Sequence, residues 1–165
     1  MNHPRIPLSA IIGVLMASVI ATPARAAADE TPPVDPAPLL AWLQAGNYKA
    51  WPHESAPHRS LGPHPAQVIA YLNPTLDASM ASASQTHPQG SAAVKELFDS
   101  SGKLSGWAVS VKTAANSDSG KGWFWYEILG TTSSARVVAS ANGVPLCFGC
   151  HTPGRDFVLI PHPLK

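Results

Sequence analysis

Cys147-Phe148-Gly149-Cys150-His151 is the stretch that any fold of this chain has to serve. The two thiols stand three positions apart, a histidine follows the second at once, and the chain has no other cysteine. That spacing is the C-x-x-C-H pattern of covalent c-type haem attachment. The cysteines add as thioethers across the two vinyl groups of haem, which fixes how far apart the sulfurs are presented. His151 then takes the iron as proximal ligand. The same residues admit a redox disulfide, half of a zinc site or a structural disulfide. Zinc asks for two further Cys or His ligands at knuckle spacing. A thioredoxin-like pair opens a helix inside a βαβ unit, whereas Pro153 and Gly154 follow this one. Haem attachment is the reading adopted, with one haem c on Cys147 and Cys150 and its iron on His151.

The other end of the chain carries an export signal. A short basic region with Arg5 precedes an apolar run from Leu8 to Ala21, and Ala24-Arg25-Ala26 or Ala26-Ala27-Ala28 supplies small residues for cleavage. The run is shorter than the roughly twenty residues a spanning helix needs, so a cleaved leader over residues 1–28 is expected rather than an anchor. Export agrees with the haem motif, because bacterial c-type cytochromes mature in the periplasm. Arg5 and Arg25 leave with the leader, taking Lys+Arg from 11 to nine against 10 Asp+Glu. The mature chain then carries about −1, which gives no electrostatic case for nucleic acid or an anionic membrane.

Residues 29–38 read as a proline-rich, extended arm, and residues 39–165 as one domain with a modest core. Leu39 to Ala45 reads as a short helix between Pro38 and Gly46. Asn47 to Pro65 reads as loop; its His53, His58 and His64 invite a metal, but solvent-facing polar histidines are the expectation in so proline-rich a segment. Gln67 to Leu72 is the first predicted strand, ended by Asn73-Pro74, and Thr75 to Ala83 a short helix capped by Asn73 or Thr75. Ala92 to Phe98 alternates, with Val94, Glu96 and Phe98 on one face and Ala93, Lys95 and Leu97 on the other. A turn over residues 99–103 leads into a strand from Leu104 to Lys112 with Trp107, Val109 and Val111 on one side. Trp123 to Leu129 is apolar on both faces, as befits a buried strand or one wall of a cofactor pocket. Asp156 to Ile160 reads as a last strand. The predicted class is α+β, mainly β: an antiparallel sheet with one or two short helices.

These features separate the haem families. Small electron-transfer cytochromes c carry the motif near the N-terminus and a later methionine as sixth ligand, whereas no methionine follows His151 here. Cytochromes c-prime carry it near the C-terminus but are four-helix bundles, which proline-broken, alternating segments cannot build.

The chain resembles the cytochrome P-460 family, whose sheet-based members include the cytochromes c-prime-beta. The resemblance runs over roughly residues 65 to 160. It is carried by Pro88 to Leu97, Gly106 to Lys112, Gly122-Trp123-Phe124, the haem motif and Asp156-Phe157-Val158. It implies an exported, mostly antiparallel β protein, commonly a homodimer, with one haem c and an open or weakly ligated distal side. In the P-460 enzymes a lysine at the position matching Lys95 is cross-linked to a meso carbon of the porphyrin, which perturbs the macrocycle. Those enzymes oxidise hydroxylamine. Lys95 is therefore the implied cross-linking and catalytic residue.

Two departures weigh against that activity. The enzymes' second-sphere carboxylate aligns with Ala108, and a distal arginine with about Val68. Proton removal needs a base within reach; Glu96 and Glu127 are the conceivable replacements, Glu96 being on the face opposite Lys95. An apolar distal pocket suits a neutral diatomic gas. Three functions therefore remain: a haem oxidoreductase acting on hydroxylamine or nitric oxide, a gas-binding protein with five-coordinate iron, or an electron carrier whose sixth ligand is His53, His58, His64 or His87. The implied partners are a small nitrogenous substrate or gas ligand and a soluble redox protein.

Overall fold

Alternating sequence sets the architecture. The structure is a computed structural model that describes residues 31–60, 62–64 and 67–165, so the leader read over residues 1–28 lies outside them. Six strands form one sheet: β1 (His58–Arg59), β2 (Gln67–Leu72), β3 (Ala92–Phe98), β4 (Leu104–Lys112), β5 (Trp123–Leu129) and β6 (Arg136–Asn142). Each pairs antiparallel with its sequence neighbour, in the order β1-β2-β3-β4-β5-β6. Three short helices accompany them, α1 (Pro36–Gln44), α2 (Pro74–Ala81) and α3 (Pro145–His151), with 3-10 turns at Asn47–Ala50 and Asp118–Gly120. The class is α+β, mainly β, as the sequence predicts.

The two faces of the sheet are built from different residue sizes. On one, Tyr71, Val94, Trp107, Val109, Val111, Phe124, Tyr126 and Ile128 are buried beneath Leu39, Leu40, Trp42 and Leu43 of α1, together with Tyr48 and Trp51. Glu96 lies in this layer and is fully partnered. Tyr48 Oη donates to it at 2.6 Å and Tyr71 Oη at 3.0 Å, Lys49 Nζ caps it, and Trp107 Nε1 donates to Tyr48 Oη at 2.8 Å. A buried carboxylate with this many donors is a satisfied core group. Glu96 is thus removed from the Lys95 face, as the alternation of β3 requires.

The other face is small at its centre. The register sets Ala70, Lys95, Ala108, Glu127 and Ala139 in one cross-strand row. The row beside it holds Leu72, Ala93, Ser110, Trp125 and Ala141. Leu76 and Met80 of α2, with Val158 and Ile160, cover Leu72, Trp123 and Trp125 at one end. Beside that cover, Ala70, Lys95 and Ala108 of the first row line a cavity and its adjoining recess.

Helix α1 begins at Pro36, inside the segment read as an arm. Proline is tolerated in the first turn, where its missing N–H would have no partner. Gly46 adopts φ 69° just beyond the helix, the left-handed turn that glycine reaches without strain. Asn73 ends β2 and caps α2: its Oδ1 accepts from Leu76 N at 3.0 Å and from Ala92 N at 2.9 Å. Three of the named strands and helices escape the sequence reading: β1, which lies inside the stretch read as loop, β6 and α3. The strand expected from Asp156 to Ile160 does not form. Asp156 and Phe157 have φ of 48° and 68°, and the segment folds into a turn with only an isolated bridge between Arg155 and Val158.

Candidate functional site

Helix α3 grows from the haem motif itself. Pro145 starts it after the extended Val144, and the helix runs for seven residues, through His151. Cys147 and Cys150 are three apart and Cys147 and His151 four apart, spacings that put all three on one helix face. Both thiols are free, Cys147 half-buried and Cys150 exposed. No residue of α3 is fully buried, although helices this short are held in place by packing. Phe148 seats it, approaching so close to Gly120 that a Cβ there would stand 2.6 Å from the Phe148 Cβ.

His151 is oriented from behind. Its Nδ1 donates to the Phe157 carbonyl at 2.9 Å, so Nε2 keeps its lone pair. A ring fixed through one nitrogen and free at the other is how proteins present a metal-binding histidine. The Trp125 ring packs edge-on, 4.8 Å from the imidazole centroid. The Phe157 carbonyl is held in turn by Asp156. That carboxylate accepts from Lys112 Nζ at 2.5 Å, from His87 N at 2.7 Å and from Ser117 Oγ. Burial opposes ionisation of Asp156, but these donors and the Lys112 charge outweigh it and hold the carboxyl below its ordinary range.

A cavity of about 260 Å³ lies between α3 and the small-residue face, lined among others by Glu54, His58, His64, Lys95, Cys150 and His151. Two adjoining recesses share His64 and His151 with it and run on past Glu127 and Cys147. Lys95 faces this space. It has no ion pair within the described residues, and burial lowers its affinity for a proton, with Glu54 and Glu127 partly opposing. Burial likewise pushes the Cys147 thiol up to about 11, helped by Glu127 and Cys150. It brings His151 down to about 4, with the Lys95 charge adding to the effect.

The donor set fits a haem c. Two free thiols and a neutral imidazole share one helix face, and the strand face opposite carries alanines around a lysine. The porphyrin brings four nitrogens of its own, so the protein need supply only His151. Among the described residues no three His, Cys, Asp or Glu side chains converge as a metal-binding group.

No protein-family model matches the chain, and no curated protein matches it. The family resemblance rests on the quoted residues alone.

Of the sequence-predicted site residues, Cys147, Cys150, His151 and Lys95 all border this one space. The four candidate distal histidines divide. His58 and His64 line the cavity. His87 is buried elsewhere, with Nδ1 on Ser79 Oγ at 2.9 Å and Nε2 on the Arg155 carbonyl at 3.2 Å. His53 turns Nδ1 to the Glu54 carbonyl and packs on Tyr71. The His64 ring centroid is 6.4 Å from that of His151, and its Nδ1 lies 3.4 Å from Glu127 Oε2. That contact lacks hydrogen-bond alignment, which leaves Nδ1 buried without a partner.

The lining is largely apolar, with carboxylates set into it. Glu127 stands directly across from Ala108, the position where the carboxylate was missing, and lines the recess with it. Glu54 was not anticipated at all. It lies in the loop before β1, and its side chain reaches the cavity because that loop pairs with the outer edge of β2: Glu54 N donates to the Ala70 carbonyl at 3.0 Å. Alternation in the strands carries no trace of this pairing.

Because His151 is held neutral at pH values where an unfolded histidine is protonated, acid favours unfolding. The unfolded chain binds the extra proton below about 6.5 and the folded one only near 4. The haem-free protein is expected to lose about 2–3 kcal/mol from this group as pH falls through that window. Urea titrations at successive pH values check it, and a flat profile between pH 7 and 5 would contradict it.

Proposed function

We propose that this chain is a periplasmic mono-haem c protein of the cytochrome P-460 kind, an oxidoreductase acting on hydroxylamine or nitric oxide. The observation that carries the proposal is the single space bordered by Cys147, Cys150 and His151 on α3 and by Lys95 on the sheet. When bound, the haem supplies an iron that exchanges single electrons and takes a small nitrogenous ligand. Cys147 and Cys150 tether it, and His151 offers Nε2 with its ring fixed by the Phe157 carbonyl. Lys95, its proton affinity lowered by burial, would be the amine available for a porphyrin cross-link, a bond that replaces an N–H and a C–H and so needs a two-electron oxidant. Glu127, beside Ala108, supplies a carboxylate to the same recess. Among the described residues no helix is long and apolar enough to cross a membrane. Its partners are the nitrogenous substrate or gas, a soluble redox protein and a second copy of the chain.

The second reading is a gas-binding protein of the c-prime-beta kind, without turnover. The alanines at positions 70, 93 and 108 around Lys95 favour it, because an uncharged diatomic asks only for space. Absorption spectra of the protein matured with haem, beside Lys95→Ala, decide between them. A red-shifted main band that reverts in the variant supports the cross-linked oxidoreductase. Identical high-spin haem c spectra favour the gas binder.

A further inference from the structure

Glu54 and His58 form a pair that the haem-binding reading does not use. The Glu54 side chain is 6% exposed and that of His58 43% exposed, and both border the cavity. Glu54 Oε2 accepts from Ala70 N at 2.7 Å and lies 2.9 Å from His58 Nε2. The other imidazole nitrogen, Nδ1, lies 2.9 Å from the Arg59 carbonyl.

Counting hydrogens shows what this geometry does. A carbonyl and a carboxylate are both acceptors, so each ring nitrogen needs a hydrogen. A neutral imidazole brings one, and one of the two contacts is then an acceptor facing an acceptor. A single added proton fills the second contact. The backbone holds both partners in place to receive it: Ala70 N binds the carboxylate, and β1 carries His58 opposite Val68. Oε2 is fully engaged, whereas Oε1 has no partner among the described residues.

We propose that Glu54 and His58 are a proton-transfer pair between the cavity and solvent. Glu54 Oε1 takes a proton from an N–H or O–H of a molecule bound in the cavity, breaking that bond and leaving its electron pair on the molecule. Rotation of the carboxyl group brings the protonated oxygen to Nε2, whose lone pair accepts the proton in the neutral ring that keeps its hydrogen on Nδ1. The Glu54 carboxylate is restored, and the exposed imidazolium releases one proton to water. No electron moves in this step. The other titratable groups along the wall are Lys95 on β3, Glu127 with His64, and His151 on α3. Lys95 is the cation that faces Glu54 and Glu127 a second anion, and both remain unchanged in the test. The function assigned to the pair rests on haem occupying the cavity.

The test compares Glu54→Gln with the parent, both matured with haem, using two ligands. Hydrogen cyanide is protonated at neutral pH and must give up its proton as it binds ferric iron; carbon monoxide binds ferrous iron with no proton to lose. Cyanide association is expected to slow about a hundredfold in the variant, the lower range of a lost general base, while carbon monoxide association stays within about twofold. Equal slowing of both ligands, or of neither, overturns the proposal. Nitrogen-15 NMR of His58 in the haem-free chain provides an independent reading. The Nε2 signal of His58 at fixed neutral pH reports its contact with the carboxylate and is expected to move in Glu54→Gln; an unmoved signal overturns the pair itself. If the chain takes up no haem, the haem reading fails while this NMR result still decides the pairing.

Discussion

With Cys147, Cys150 and Lys95 all replaced by alanine, haem is expected to leave the protein completely on acid–organic extraction, while the parent retains it. Thioether formation adds each S–H across its own vinyl group, and Lys95 is the amine among the residues lining the cavity. The triple variant tests attachment rather than folding. None of α3 is fully buried, and Cys150 is exposed, so the haem-free chain should keep its urea midpoint to within about 1 kcal/mol. Pigment that resists extraction from this variant would refute the site. Restoring the two cysteines alone should restore attachment, and the absorption band then reports Lys95 separately.

The second large effect lies behind the site. Lys112 and Asp156 form an ion pair whose side chains are 0% and 5% exposed, and Lys112 also bonds Ser117 Oγ at 2.7 Å and stands 5.5 Å over the Trp123 ring. Lys112→Met leaves the Asp156 carboxylate buried without its cation, a defect worth about 3–5 kcal/mol. Adding Asp156→Asn removes that stranded charge and keeps a residue type that tolerates φ 48°, so part of the loss should return. Urea unfolding of the single and double variants measures both. A loss below about 1 kcal/mol in Lys112→Met would mean that the pair is already hydrated. The local consequence follows through Phe157: once its carbonyl drifts, His151 Nδ1 loses its acceptor.

Most of the sheet was legible because its signals are local. Strands β2 through β5 lie where alternation and turn residues put them, and the separation of Lys95 from Glu96 follows from period two alone. Other parts depend on distant contacts. Strand β6 pairs along one side only and exposes Val137, so its sequence lacks a buried stripe. The run from Asp156 to Ile160 has strand composition, but Lys112, Ser117 and His87 hold Asp156 in a left-handed turn that no local pattern announces. Within the site, the motif itself named Cys147, Cys150 and His151, and the resemblance added Lys95. Glu54 was hidden because loop-to-edge pairing brings it in, and His58, named only as one of four possible sixth ligands, sits in a proline-rich loop where histidines look like solvent groups.

A sheet in which every strand pairs with its sequence neighbour has a kinetic consequence. Its contacts are short in chain distance, so little loop entropy must be surrendered before each pairing is rewarded. The strands can zip in order, and α3 follows all six of them in the chain. Cys147 and Phe148, both only partly buried, and the His151 contact hold it to the finished sheet, so it can open as a small unit at lower free energy than the sheet itself. On the proposed haem reading, such an opening would offer both thiols to a maturation enzyme while the hydrophobic layers stay closed, and the chain need not be held unfolded until its cofactor arrives.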